Sequence, residues 1–128
     1  MRPRSQEFYD RAGERLTGAR KNLDQEEYAI AVGAAYYAML YGARAALSEQ
    51  DLHAKTHRGT WNLLRHTLAA EGSFPPELVT EAERLAELRE AADYDALAVD
   101  EDQAKHAVDS AERFLSALNE LLSWLVSR

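Results

Sequence analysis

Apolar positions recur at helical spacing in five segments separated by short polar breaks. One segment differs from the rest. Tyr28 to Leu47 reads YAIAVGAAYYAMLYGARAAL, and Arg44 is its only charge. Apolar residues all round a helix are the pattern of one buried on most sides. The segment is about long enough to span a bilayer. It is rich in Ala, Gly and Tyr, however, and acidic residues flank it at Asp24, Glu26, Glu27, Glu49 and Asp51. A span would carry a basic flank instead, so the pattern predicts a central helix in an all-α bundle, ending near Ser48. Ala31, Ala35, Ala38, Gly42 and Ala45 share one side, where small residues admit another helix closely. Tyr37, Tyr41, Arg44 and Ser48 share another, which combines aromatic bodies with hydroxyls and a cation. Such a side suits a subunit interface or a polar cleft better than a dry core.

The other segments fill out the bundle. Residues 5 to 23 predict a first helix with a stripe of Phe8, Ala12, Leu16, Ala19 and Leu23. SEQDLHAK reads as a loop, and Thr56 as the N-cap of a third helix over His57 to Ala70. On it His57, Trp61, Leu64 and Leu68 share a face. Gly59, in its first turn, costs about 1 kcal/mol relative to alanine, a cost that close approach of another backbone or a ligand would explain. Pro75 and Pro76 start a fourth helix, to about Ala92, because proline is tolerated in a first turn. Its stripe of Leu78, Ala82 and Leu85 runs on into Arg89, and an unpaired charge on a buried line is costly. Asp100, with Gln103 three residues on, predicts a capping box. The last helix then runs to about Val126, with a seam from Ala104 to Leu125. No repeat of solenoid length is present, so the pattern predicts one domain over 1–128, an up-and-down bundle of about five helices.

Composition narrows the function classes. The chain has 128 residues, no cysteine and a net charge of −7 from 22 acidic and 15 basic residues. A thiolate metal site is excluded. Broad electrostatic binding to nucleic acid is disfavoured, although a local basic cleft is not. The start MRPRSQEFYD has no apolar run of the signal-peptide kind, and a cytoplasmic protein is expected. His53 and His57 stand at i, i+4 without an HExxH glutamate. No P-loop, GxGxxG or GxSxG is present, so neither a metal nor a cofactor is expected.

Three pieces remain: Tyr37, Tyr41 and Arg44; Lys55-Thr56-His57-Arg58-Gly59; and Arg89 with Asp93 and Tyr94. Taken separately they read as a dimer seam, a capped helix start and a buried ion pair of Arg89 with Asp93 or with an acid elsewhere in the chain. Taken together they read as one cleft for a phosphate-bearing ligand. Arginines would fork onto its oxygens, a helix start would add amide donors, and tyrosines would add hydroxyls or a stacking surface.

In this order the stretches AAYYAML (34–40), KTHRG (55–59) and LREAADY (88–94) resemble the HEPN domain (higher eukaryotes and prokaryotes nucleotide-binding), in its branch of small stand-alone prokaryotic proteins. The resemblance covers roughly residues 5 to 125. It implies an all-α bundle that commonly forms a homodimer and pairs with a minimal nucleotidyltransferase, as in toxin–antitoxin modules. It also implies a link to nucleotides or RNA. Many relatives are metal-independent ribonucleases with an Arg-x(4–6)-His motif.

This chain departs from that motif. No histidine has an arginine five, six or seven positions before it. Arg89 matches the motif arginine, but Tyr94 stands where the histidine would be. Attack by a 2′-hydroxyl needs a proton acceptor near neutral pH, which histidine supplies. Tyrosine, with a pKa of about 10, does so poorly. The expected function is therefore a non-catalytic or weakly active partner-binding and nucleotide- or RNA-binding subunit, with Arg89, Asp93, Tyr94, Tyr37, Tyr41, Arg44, Lys55, Thr56, His57 and Arg58 as ligand-binding candidates. The alternatives are an endoribonuclease toxin with a rearranged base, for which Arg89 and His57 are the candidates, and a structural adaptor. A homodimer is also expected from the apolar perimeter of the central helix, which looks larger than its neighbours can cover.

Overall fold

The apolar stretch forms α2, Tyr28–Glu49, and the other helices wrap it. A computed structural model describes residues 1–127. Besides α2 it contains α1 (Pro3–Asp24), α3 (His57–Leu64), α4 (Pro76–Tyr94) and α5 (Glu101–Ser127), with no strand among the described residues. Arg2 meets Glu49, and Phe8 meets Tyr41, so α1 and α2 are antiparallel. Tyr9 bonds Asn119, and Arg20 bonds Glu112, so α1 and α5 are antiparallel too. Glu81 bonds Arg113, while Pro76 and Glu77 share a cavity wall with Glu120 and Leu121, so α4 and α5 are antiparallel as well. The four long helices alternate in direction as expected, with α3 packed against α2 and α4.

The small-residue side of α2 does what its composition implies. Ala31, Ala35, Ala38, Gly42 and Ala45 are all buried. A Cβ on Gly42 would lie 2.8 Å from Leu115 and 3.0 Å from Leu118, so glycine sets how closely α5 approaches. Of α2's most apolar window 67% is buried within the fold, so its hydrophobicity is spent on core packing.

The caps form as read from the sequence. Asp100 Oδ1 accepts from the Gln103 amide at 2.8 Å, and Gln103 Oε1 accepts from the Asp100 amide at 3.0 Å. Thr56 Oγ1 accepts from the Gly59 amide at 2.9 Å.

Four expectations need correction. Gly59 has a reason inside the chain: a Cβ there would sit 2.8 Å from the Thr56 hydroxyl, so glycine clears space for the cap itself. The third helix is not one α-helix to Ala70. It passes at Arg65–Ala69 into a π turn. There the Thr67 hydroxyl donates to the Leu63 carbonyl at 2.6 Å, competing with the regular ladder. Phe8 does not join the buried stripe of α1. It is only partly buried, on the side of Tyr41. Finally, the perimeter of α2 is covered within one chain more fully than expected: Ile30, at 58% exposure, is its one large exposed hydrophobic. A homodimer therefore needs another basis.

Replacing Asp100 by alanine is expected to cost about 1 kcal/mol in urea unfolding through loss of the cap. Gly42→Val is expected to cost about 1–3 kcal/mol by overpacking the α2–α5 contact.

Candidate functional site

The apolar line of α4 delivers Arg89 against the tyrosines of α2. Its side chain is 18% exposed. The guanidinium carbon lies 5.5 Å from the Tyr36 ring centre and 5.4 Å from that of Tyr37. Nη1 donates to Asp93 Oδ2 at 2.9 Å, while Nε is buried with no hydrogen-bond partner among the described residues. The ion pair and the tyrosine contact read as alternatives from the sequence therefore coexist. Asp93 is half exposed, so the pair itself contributes little. The rings face the cation and offset part of its burial cost.

Behind this contact runs a hydrogen-bond relay. Trp61 Nε1 donates to the Tyr36 hydroxyl at 3.2 Å, and that hydroxyl lies 3.1 Å from His57 Nδ1. Tyr36 is fully buried, so its own proton must find an acceptor inside. His57 Nδ1 is that acceptor, which leaves the imidazole proton on Nε2. Burial first, then the positive charges of Arg44 and Arg89, hold the His57 pKa below its ordinary value. Its basic nitrogen is thus engaged inside the fold. Arg44 is steadied alongside, its Nε donating to Thr60 Oγ1 at 3.3 Å.

The first helix contributes cations that sequence reasoning missed. Arg15 lies 5.3 Å from the Tyr37 ring and 5.7 Å from that of Tyr41. Arg11 lies 5.9 Å from Tyr41, and Arg4 lies 5.5 Å from Phe8. Arg2, Arg20, Arg65, Arg89 and Arg113 each contact a carboxylate. Arg4, Arg11, Arg15 and Arg44 have no carboxylate partner among the described residues. Lys21, Lys55, Arg58 and Arg84 form no ion pair among the described residues either, but Arg4, Arg11, Arg15 and Arg44 are the ones that stand along the tyrosine side of α2, with Glu7 and Glu14 beside them. A groove of about 460 Å³ opens there between α1, α2 and α4, with Gly18 and Gly33 leaving room between Arg15, Tyr37 and Arg89. Glu14 and Asp93 also line it.

Of the residues expected from the sequence, Arg89, Asp93, Tyr37, Tyr41, Arg44 and His57 come together around this face. Tyr94 does not join them: at the last turn of α4 it is 81% exposed. The Thr56 hydroxyl is spent on its cap. Arg58 stands exposed, and exposed Lys55 lines a second cavity with Arg4, Phe8 and Arg44. The signal for the missed residues was present, since Arg4, Phe8, Arg11 and Arg15 follow i, i+4, i+7, i+11 on one side of α1. Tyr36 was passed over because one buried tyrosine in an apolar helix looks like core. No group of three or more metal-ligating side chains is gathered among the described residues.

Comparison with known proteins gives three results. A family model for the HEPN domain matches residues 5–121. A UPF0332 protein of Gloeobacter violaceus is 41% identical over 66% of this chain and 70% of its own length. Another, of Thermotoga maritima, is 31% identical over 88% of this chain and 86% of its own. A protein of Methanocaldococcus jannaschii whose name proposes it as a toxin is 27% identical over 95% of this chain and 91% of its own.

Two outcomes follow for the relay. Nitrogen NMR of His57 is expected to report the Nε2–H tautomer and titration below about pH 6.5. A folded pKa below the unfolded one means that this residue costs no stability above about pH 6.5, and that stability falls with pH between the two values. Tyr36→Phe is expected to cost about 1–3 kcal/mol, because the Trp61 indole N–H loses its acceptor.

Proposed function

The chain belongs to the HEPN domain family, and from that premise we propose that it is a binding subunit that holds a phosphate group of a nucleotide or RNA against Arg89 and does not cleave it efficiently. The observation that carries this reading is the Arg89 guanidinium. It lies over Tyr36 and Tyr37, keeps its side chain 18% exposed, and borders an open groove. Arg15 and Arg44 add positive charge that no carboxylate of the described residues neutralises. A phosphate there would gain charge-assisted hydrogen bonds, roughly twice as strong as neutral ones.

Weak or absent catalysis rests on the proton acceptor. The His57 lone pair is occupied by Tyr36, and Asp93 is held in its ion pair with Arg89. Tyr94 stands in solvent. An arginine alone can stabilise a pentacovalent phosphate, but it takes no proton from a 2′-hydroxyl. The name of the Methanocaldococcus relative supports a place in a toxin-type module. Within such a module we propose a homodimer and a minimal nucleotidyltransferase as partners. The exposed Ile30, Leu97 and Trp124 are apolar positions that these contacts could cover.

Binding of 5′-AMP measured by calorimetry tests this. Arg89→Ala is expected to weaken it by about 10- to 100-fold, the equivalent of one charged hydrogen bond of about 1.5–3 kcal/mol. Arg89→Lys is expected to recover only part, because lysine lacks the planar fork. Unstructured RNA kept with the protein in EDTA is expected to stay intact. Cleavage that disappears in Arg89→Ala would replace this reading with an endoribonuclease. Unchanged 5′-AMP affinity in Arg89→Ala would leave the arginine a structural role alone.

A further inference from the structure

The groove at Arg89 is one end of a longer track. From Tyr37 the aromatic line continues to Tyr41, with ring centres 6.0 Å apart, and then to Phe8, at 6.2 Å. All three rings are partly exposed. Each carries at least one guanidinium: Arg89 and Arg15 at Tyr37, Arg15 and Arg11 at Tyr41, and Arg4 at Phe8. Beyond Phe8 lies a second cavity of about 540 Å³, floored by Phe8, Leu47 and Leu52 and rimmed by Arg4, Arg44 and Lys55. It also includes His53, which sits 3.5 Å from Asp51.

Building on the phosphate-binding reading above, we propose that this second cavity is a further nucleotide subsite, and that the ligand is an unpaired RNA strand of about three nucleotides laid from Arg89 to Arg4. Three features carry the inference. The first is spacing. Steps of 6.2 and 6.0 Å are nearly twice the roughly 3.4 Å rise of a stacked strand, so they match a splayed strand and not one side of a helix. The second is chemistry. A guanidinium over a ring offers its N–H edges to phosphate and its outer plane to a base, and this pairing recurs along the line. The third is charge. The line sets Arg4, Arg11, Arg15 and Arg89 against Glu7, Glu14 and Asp93, a local excess of positive charge in a chain that is acidic overall. Aromatic and guanidinium stacking is tolerant of sequence, so little base preference is expected.

The test measures affinity for 5′-AMP and for 5′-phosphorylated oligo(A) of two to six residues, at fixed salt, by calorimetry with the full chain. Affinity is expected to rise by about tenfold or more from 5′-AMP to the trimer and then level off. Arg4→Ala is expected to reduce trimer affinity about tenfold, to lower the salt slope by about one, and to leave 5′-AMP affinity unchanged. Phe8→Leu, which keeps an apolar side chain in the α1–α2 contact, is expected to reduce trimer affinity alone. Equal affinity for 5′-AMP and the trimer overturns the second subsite while leaving the Arg89 groove intact. So does a trimer affinity indifferent to both substitutions, or tighter binding of a duplex. Failure of both probes to bind overturns the groove reading and this extension with it.

Discussion

A guanidinium that continues an apolar stripe needs something in place of water, and here two tyrosine rings take that part. Arg89 ends the line of Leu78, Ala82 and Leu85, and the faces of Tyr36 and Tyr37 receive it. Asp93, one turn further, takes one nitrogen and leaves another unpaired. A full set of carboxylate partners would have made an inert ion pair. A single ion pair at the rim keeps the cation in place, and the exposed end of the side chain retains capacity for an oxyanion. The rest of the face follows from the same contact, because Tyr37 also meets Arg15 and Tyr36 anchors His57.

Much of the fold was legible in the sequence because its signals are local. Cap residues, proline pairs and stripes at helical spacing involve neighbours within a turn or two, and the Asp100–Gln103 box and the Thr56 cap formed as read. The π turn at Arg65–Ala69 was not legible, because its Thr67-to-Leu63 hydroxyl bond is of a kind that Thr60 and Thr80 also make within regular helix. Nor was the use of Phe8. A stripe shows that a residue is apolar and on one side, but whether that side meets the core or a neighbouring aromatic depends on how α1 is rotated against α2.

The site was legible only in part, for a related reason. Arg89 announced itself as a charge on a buried line. The α1 arginines gave no such signal, since arginine on the polar face of an amphipathic helix is ordinary. Their meaning appears only when acidic partners are sought in three dimensions and none is found for Arg4, Arg11 and Arg15 among the described residues. Tyr94 shows the opposite failure. Motif spacing placed it with Arg89, yet the helix turns between them and it ends in solvent. The relay from Trp61 through Tyr36 joins α2 to α3 across a long gap in sequence, beyond what periodicity can report.

The π turn also bears on which changes of chain length this bundle can absorb. A π turn accommodates one residue more than the α-helix it interrupts. Losing one residue between Arg65 and Ala69 would let the segment tighten into regular helix while Trp61 and Leu64, upstream, keep their places. The same loss within α2 or α5 would rotate every later side chain by about 100° and turn core residues outward. Single-residue gaps among related chains should therefore gather at this turn and spare the helices on either side of the cationic face.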